Sequence, residues 1–451
     1  MTGFIDRLRW STVALWHARR ERTLPWWPEA RIETVQNRRV RAIVRHAYAT
    51  VPHYRDAMRD RGLVPDDITT AGDLRKLPLV HGRELAAEPQ RFLSSRYANV
   101  DTLALTTTGT SGYYKEIRVD PGAVCAALAG GLRFRIAMAA IAAARARTEL
   151  VLAPPGGTAE ILRKFQQSHL LPALTGRIAV EFVSLDQPVE ALVAAINARA
   201  PDVLASFGQL LGHVFREARA RGLAIHRPRL VRYGGDAMRA EDRRVIEEHY
   251  GIPVISSYQS CEFLRIAHQC ERRGGFHLYS DQVALRVIDE RGNDVAPGAT
   301  GEAVASNLVN RATVLLNFRL GDRIALDAAR CACGRTLPLI AAIDGRNDDL
   351  LLRRSNKRVH ESTVLRRLYA APGLVRAAIT QHAIDRIDAR IVVADTRHAE
   401  PTIADVRAAL VELLDVEGPA IDVTVVDDLP AGLGGKFRAL RCHCSPSRDS
   451  G

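Results

Sequence analysis

At 451 residues the chain is long enough for about two to four domains built around one large core. Hydrophobic residues make up 47% and charged residues 25%, which excludes wholesale disorder, and no run of about eighteen apolar residues suggests a membrane span. The net charge of +12 comes mostly from arginines spread along the chain, without interleaved aromatics beyond the N-terminal stretch, which speaks against a nucleic-acid binder.

In chain order, residues 1 to about 100 read as helical, with turns at Val51-Pro52, Gly62 to Asp67 and Leu77-Pro78. The densest charge, Arg7 to Arg45, also carries Trp10, Trp16, Trp26 and Trp27. An amphipathic helix clamped onto its own domain, with solvated arginines, is the expectation there; contact with a membrane or a partner is the alternative. Arginines and tryptophans interrupt any apolar core of signal-peptide type, so a cytoplasmic location is expected.

Next comes Thr106-Thr-Thr-Gly109-Thr-Ser-Gly112, four threonines, a serine and two glycines between the apolar run Leu103 to Leu105 and the alternating Ile117 and Val119. Glycines let the backbone turn tightly, so amides and hydroxyls can converge on an anion such as a triphosphate. A polar turn between two strands has the same composition. The Ala-rich stretch Val124 to Ala144 is broken by Gly130, Gly131, Arg133 and Arg135 and reads as the helix of a soluble protein.

From about 100 to 325 strands and helices alternate. Expected strands are Leu150 to Ala153, Arg177 to Leu185, Val203 to Phe207, Leu230 to Tyr233 and Val254 to Ser257; expected helices are Val189 to Arg199, Gln209 to Arg221 and Ala240 to Tyr250. That order predicts a mostly parallel α/β sheet, with ligands beyond the carboxyl ends of its strands, where Gly234-Gly235-Asp236 and Ser257-Tyr258 fall. After Tyr258 the pattern turns antiparallel: Gln282 to Asp289, Gly301 to Ser306 and Thr313 to Phe318. A boundary near Asp344-Gly345 opens a compact α+β module running to residue 444, and 445–451 reads as a tail.

The polar motifs form an ordered series. Thr107-Thr-Gly-Thr-Ser-Gly112 resembles the phosphate loop of adenylate-forming enzymes, and Tyr258-Gln-Ser-Cys-Glu262 their Tyr-Gly-x-Thr/Ser-Glu motif. Asn317-Phe-Arg-Leu-Gly-Asp322 resembles the stretch ending in their ribose-binding aspartate, Gly345-Arg-Asn-Asp-Asp349 their hinge signature, and Leu429-Pro-Ala-Gly-Leu-Gly-Gly-Lys436 the loop of their catalytic lysine. Tyr48-x-x-Val51-Pro-His-Tyr54-Arg and Cys331-x-Cys-Gly-Arg-Thr336 make the phenylacetate–CoA ligase branch, with its capsule-biosynthesis and coenzyme F390 synthetase-like relatives, the nearest likeness. It covers nearly the whole chain.

The resemblance implies an α/β fold. Residues 1–100 would be a helical region of a large domain, 101–343 its AMP-binding core of mostly parallel sheets with an antiparallel β subdomain, and 344–444 a mobile C-terminal α+β domain. It also implies roles. Thr107, Thr108, Gly109, Thr110, Ser111 and Gly112 would hold the ATP phosphates and Glu262 would bind Mg²⁺; Gly234, Gly235 and Asp236 would frame the adenine beside Tyr258, and Asp322 would bind the ribose. Arg346 would meet phosphate or ribose, Asp348 would be the hinge, and Lys436 would stabilise the charge that develops as a carboxylate attacks the α-phosphate. Phe207, Gly208, Tyr233 and Ser257 are placed in the acyl pocket by their strand ends alone. The sequence departs from the pattern twice. Tyr113 stands where a lysine is usual, so Lys115 is the nearest substitute, and Gln259 stands where glycine is usual.

Of seven cysteines, Cys270, Cys331 and Cys333, with His268, supply four ligands of the kind a closed Zn²⁺ site uses, and some relatives with a Cys-x-Cys-Gly element hold zinc. Cys261 competes as fourth ligand, unliganded buried thiols are the alternative, and Cys442-His443-Cys444 is expected to bind nothing. The resulting expectation is an AMP-forming ligase that joins a carboxylic acid, taken to be an aryl acid, to coenzyme A through an acyl-adenylate. Transfer to an amine, a hydroxyl or a carrier protein is the rival enzyme reading, a non-catalytic nucleotide-binding homologue the rival of another class. A homodimer is left open.

Overall fold

A computed structural model describes residues 3–107, 114–143, 146–174, 178–347, 349–355, 357–395, 397, 399–429 and 437–444. The chain divides into two compact units, Met1–Leu320 with Ala325–Ala342, and Gly321–Ile324 with Ile343–Gly451.

The first unit opens with helices α1 (Phe4–Glu21), α2 (Glu29–Thr50), α3 (Pro52–Asp60), α4 (Gly82–Ala87) and α5 (Pro89–Phe92). In α2 the buried Ile32, Val35, Val40, Ile43, Val44 and Ala47 recur at helical spacing. It stops at Val51 because Pro52 drives the preceding residue out of the helical region (Val51 has φ −113° and ψ 114°), and Pro52 then starts α3 at the position where its missing N–H is not needed.

Strands β1 (Leu103–Thr107) and β2 (Lys115–Val119) pair antiparallel, Thr107 opposite Lys115. Helix α6 (Pro121–Met138) follows; Asp120 caps it by accepting from the Ala123 amide at 3.0 Å, with Pro121 in its first turn. By length and composition alone Pro121–Ala142 could cross a membrane, but 61% of its most apolar window is buried within the fold.

The remaining elements are β3 (Thr148–Ala153), α7 (Thr158–His169), β4 (Ala179–Ser184), α8 (Val189–Arg199), β5 (Val203–Ser206), α9 (Gly208–Ala220), β6 (Leu230–Gly234), α10 (Ala240–Arg244), β7 (Val254–Tyr258), β8 (Ala267–Gln269), β9 (Phe276–Leu278), β10 (Val283–Ile288), β11 (Thr300–Asn307), β12 (Phe318–Asp327) and β13 (Leu339–Arg346). They build an eleven-stranded sheet in the order β10-β11-β12-β13-β9-β8-β7-β6-β5-β3-β4. The β4-β3-β5-β6-β7 half is parallel. The antiparallel strands continue that sheet through β8 and β9.

The parallel half has a core on each face: Leu152, Val193, Leu204, Phe215, Val231 and Val254 with α8 and α9 on one, Phe134, Ala137, Met138, Val203, Leu230 and Ile255 with α6 on the other. Two expectations need correction. Thr313 to Phe318 is not a strand; β12 begins only at Phe318, since the backbone of Val314 to Leu316 is taken by other partners, with the Leu316 amide donating to Tyr54 Oη at 2.7 Å and the Val314 amide to Phe92 O at 3.0 Å. The helix expected over Ala240 to Tyr250 is α-helical only to Arg244 and continues as a wider π-turn, Val245–His249.

The second unit carries β14 (Leu350–Leu352), β15 (Arg358–His360), α11 (Glu361–Leu368), β16 (Leu374–Ala383), β17 (Arg386–Val393), α12 (Ala399–Leu414), β18 (Ile421–Val425) and β19 (Leu440–Cys442). Its four-stranded sheet runs β18-β17-β16-β19 over its own apolar core, including Ile379, Ile391, Val406 and Leu410.

Candidate active site

In sequence the polar loop falls between β1 and β2, and their hairpin brings Lys115 against Glu262, just beyond β7. Of the loop, Thr107 ends β1 and accepts from the Lys115 amide at 3.3 Å. Thr108, Gly109, Thr110, Ser111, Gly112 and Tyr113 lie outside the described residues. Lys115 turns inward: its Nζ is 2.6 Å from Glu262 Oε1, both side chains are buried, and the ammonium lies 5.7 Å from the centre of the Phe318 ring. Burial pushes the Glu262 carboxyl up, and the Lys115 charge and hydrogen bond pull it down harder, so it stays below the usual carboxylate range. Two residues 147 positions apart thus form one buried ion pair.

The ends of β5, β6 and β7 form the neighbouring wall. Asp236 accepts from the amides of Gly208, at 2.5 Å, and Gln209, at 3.4 Å, so its carboxylate caps α9. Gly208 has no room for a side chain: a Cβ there would lie 2.8 Å from the Met238 amide nitrogen and from Tyr233 Cδ2. Gly234, paired with Ser257 across β6 and β7, is as tight: a Cβ would sit 2.7 Å from Gln259 Nε2 and 2.9 Å from Ser257 O. The Gln259 carboxamide therefore lies over the glycine. Gly235 has φ +87°, which glycine adopts without strain. Phe207 precedes α9, and Tyr233 and Tyr258 are buried at their strand ends.

In the second unit the structure joins two residues chosen from sequence. Arg346 Nε lies 3.6 Å from Asp322 Oδ1, and the Asn347 amide donates to Gly321 O at 2.7 Å. Gly321, with φ +78°, leaves room for the Arg346 guanidinium, whose Nη2 would be 3.3 Å from a Cβ at that position. Asp349 accepts from Arg438 Nε at 2.6 Å. Asp348 and Lys436 lie outside the described residues.

The metal-ligand expectation changes in one member. Cys270, His277, Cys331 and Cys333 place their ligand atoms within 4.8 Å of one another, whereas His268 is not in the group. His268 and His277 are opposite each other on β8 and β9, but the His268 ring packs 5.0 Å from Tyr279 and 6.3 Å from Phe134, centre to centre, and is fully buried. Nor does Cys261 join: its sulfur lies 3.5 Å from Thr158 Oγ1 and 3.9 Å from Thr106 O. The Cys270–Cys331 sulfur separation is 3.7 Å and Cys333 Sγ is 3.3 Å from His277 Nε2. A tetrahedral zinc with Zn–S near 2.3 Å needs edges of about 3.8 Å between sulfurs, so the donor set fits the ion. Burial pushes His277 down to about 4, which leaves the ring neutral and able to ligate. The Cys-x-Cys loop is held from behind, where the Thr336 amide donates to Pro25 O at 2.8 Å. His277 sits in a three-residue strand, too short for alternation to reveal it; only Gly274-Gly275 before it hinted at a turn into a strand.

No family model matches the sequence. The chain is 25% identical to the phenylacetate-coenzyme A ligase of Thermus thermophilus over 367 residues, 77% of each chain. It is 24% identical to the phenylacetate-coenzyme A ligase of Aromatoleum evansii over 348 residues, 72% of each. The crystal structure of a 2-hydroxyisobutyryl-CoA ligase in the postadenylation state superposes with a TM-score of 0.73 at 17% identity, covering 92% of this chain and 90% of the other, a likeness of fold.

Proposed function

We propose, from the premise that this chain is a phenylacetate–CoA ligase-like member of the adenylate-forming superfamily, that it activates an aryl carboxylic acid with ATP and passes the acyl group to coenzyme A. An AMP-forming acid–CoA ligase must gather negative groups, the acid and the triphosphate, at one place, and so needs cations and oriented donors there. The observation that carries the reading is the Lys115–Glu262 pair, which seats the cation at the foot of the polar loop against the carboxylate of the tyrosine motif. Lys115 serves the β- and γ-phosphates in place of the usual loop lysine. Glu262, ionised and oxygen-donating, is the residue that suits Mg²⁺.

Asp322 takes the ribose, with Arg346 beside it to meet phosphate. Lys436 and Asp348 keep the roles of catalytic lysine and hinge, and the smaller unit reorients between the two half-reactions. Gly234 and Gly208, lacking side chains, let Gln259 and Tyr233 pack directly on the backbone of the adenine and acyl walls. The phenylacetate relatives support the aryl half of the proposal. Cys270, His277, Cys331 and Cys333 hold a structural Zn²⁺, which would cross-link β8, β9 and the loop before β13.

The test is exchange of labelled pyrophosphate into ATP across a panel of aryl and alkyl acids, followed by addition of coenzyme A or amines and mass analysis of the product. Exchange with an aryl acid and a CoA thioester are expected. No exchange with any acid would sink the ligase reading, exchange with alkyl acids alone its aryl half, and an amide in place of a thioester its acceptor.

A further inference from the structure

Helix α1 has two faces of different character. Its inner face is tied down: Arg7 donates to Leu170 O at 2.7 Å, Ser11 Oγ accepts from the Leu171 amide at 2.9 Å, and Glu21 is buried against Arg133 of α6. Its outer face carries Phe4 (70% exposed), Ile5 (81%), Leu8 (49%), Leu15 (48%) and Trp16 (60%). At about 100° per residue these five fall within an arc of roughly 120°, shared only with Thr12 and Arg19. Of the ten exposed large hydrophobic side chains among the described residues, five lie on this helix and Trp26 follows soon after. The other four (Val64, Val100, Tyr114 and Val425) are scattered, which is the ordinary condition of a surface; a stripe of five is not.

The charge around the stripe indicates what covers it. Arg9, Arg19 and Arg22 are exposed on or beside it, Asp6 is the exposed acid, and the remaining acid, Glu21, is buried and paired. The whole chain carries +12. Aromatic and aliphatic side chains rimmed by arginine on a helix lying flat on its own domain is the arrangement that enters the headgroup region of a bilayer without crossing it. Five arginines in residues 4–22 exclude a span. A second copy docked by the same face would bring two arginine rims together, whereas anionic headgroups neutralise them. We propose that α1 is an interfacial anchor by which this protein settles on an anionic lipid surface.

The test is co-sedimentation of the full chain with vesicles of phosphatidylcholine alone and with vesicles in which about a third of the lipid is phosphatidylglycerol, at low and high salt. Sedimentation with the anionic vesicles only, reversed by salt, is expected. The variant Phe4→Ser/Leu8→Ser/Trp16→Ser should lower the bound fraction by about tenfold or more, and Arg9→Glu/Arg19→Glu/Arg22→Glu should do the same, both with unchanged melting temperature because no buried side chain is touched. Wild-type protein that stays in the supernatant, equal binding to neutral vesicles, or full binding by either variant would overturn the proposal. So would light scattering that finds a wild-type dimer which the serine variant converts to monomer, since the face would then belong to a second copy.

Discussion

Burying an ammonium and a carboxylate together strips both of water, and the Lys115–Glu262 contact at 2.6 Å offsets that loss only while both partners remain charged. Lys115→Met leaves Glu262 charged and unpaired, so the expected outcome is a loss of about 3–5 kcal/mol in denaturant unfolding, together with a fall of at least about a hundredfold in pyrophosphate exchange. Lys115→Met/Glu262→Leu should recover much of the stability and none of the exchange. A stable, active Lys115→Met variant would refute the assignment. That Lys115 is the next cation after Gly112 was readable from sequence; that it is held by Glu262 was not, since nothing in a chain of residues announces a partner 147 positions away. Gln259 was likewise visible as a departure, and its meaning becomes plain only where its amide fills the space above Gly234.

Among elements, those best foreseen were the parallel strands, each a short apolar run that ends at glycine, proline or serine; the Leu150 to Ala153 and Val254 to Ser257 expectations miss the observed strands by at most two residues. Those not foreseen include β8, β9, β13, β15 and β19, all but β13 only three residues long. Equally invisible was the buried network that fastens α1 and α2 to the sheet through α6: Arg133 engages Glu21 of α1, meets Asp281 at 2.8 Å, and shares that aspartate with Arg39 of α2 at 3.1 Å. Arg133 looked like an interruption of an apolar helix, and it is instead the junction of three elements. Arg133→Met removes the cation between two buried carboxylates. The expected cost is about 3–5 kcal/mol, read from a chemical denaturation curve, with α1 the first segment to lose protection from amide exchange. An unchanged curve would show the network to be dispensable.

At the scale of the whole molecule, each unit has its own sheet and its own core, and the cysteine–histidine group lies entirely in the larger one. Calorimetry should therefore resolve two transitions, and a zinc chelator should lower the larger unit's alone. Metal analysis should find one zinc in the wild type and in His268→Ala, and none in His277→Ala. Equal zinc in all three, or a chelator that moves neither transition, would remove the metal from the proposal. The two-part organisation was legible in the change of pattern near residue 344. What the pattern could not reveal is that Gly321–Ile324, in the middle of β12, is counted with the smaller unit. The boundary is consequently crossed three times by the chain. A gene fragment starting at 343 would encode that smaller body without the four residues that include Asp322, so a chimera swapped at that crossover would inherit Asp322 from one parent and its neighbour Arg346 from the other. Recombination that respects this architecture has to move Gly321–Ile324 with the smaller unit while leaving Cys331 and Cys333 with the Cys270 and His277 of the larger one.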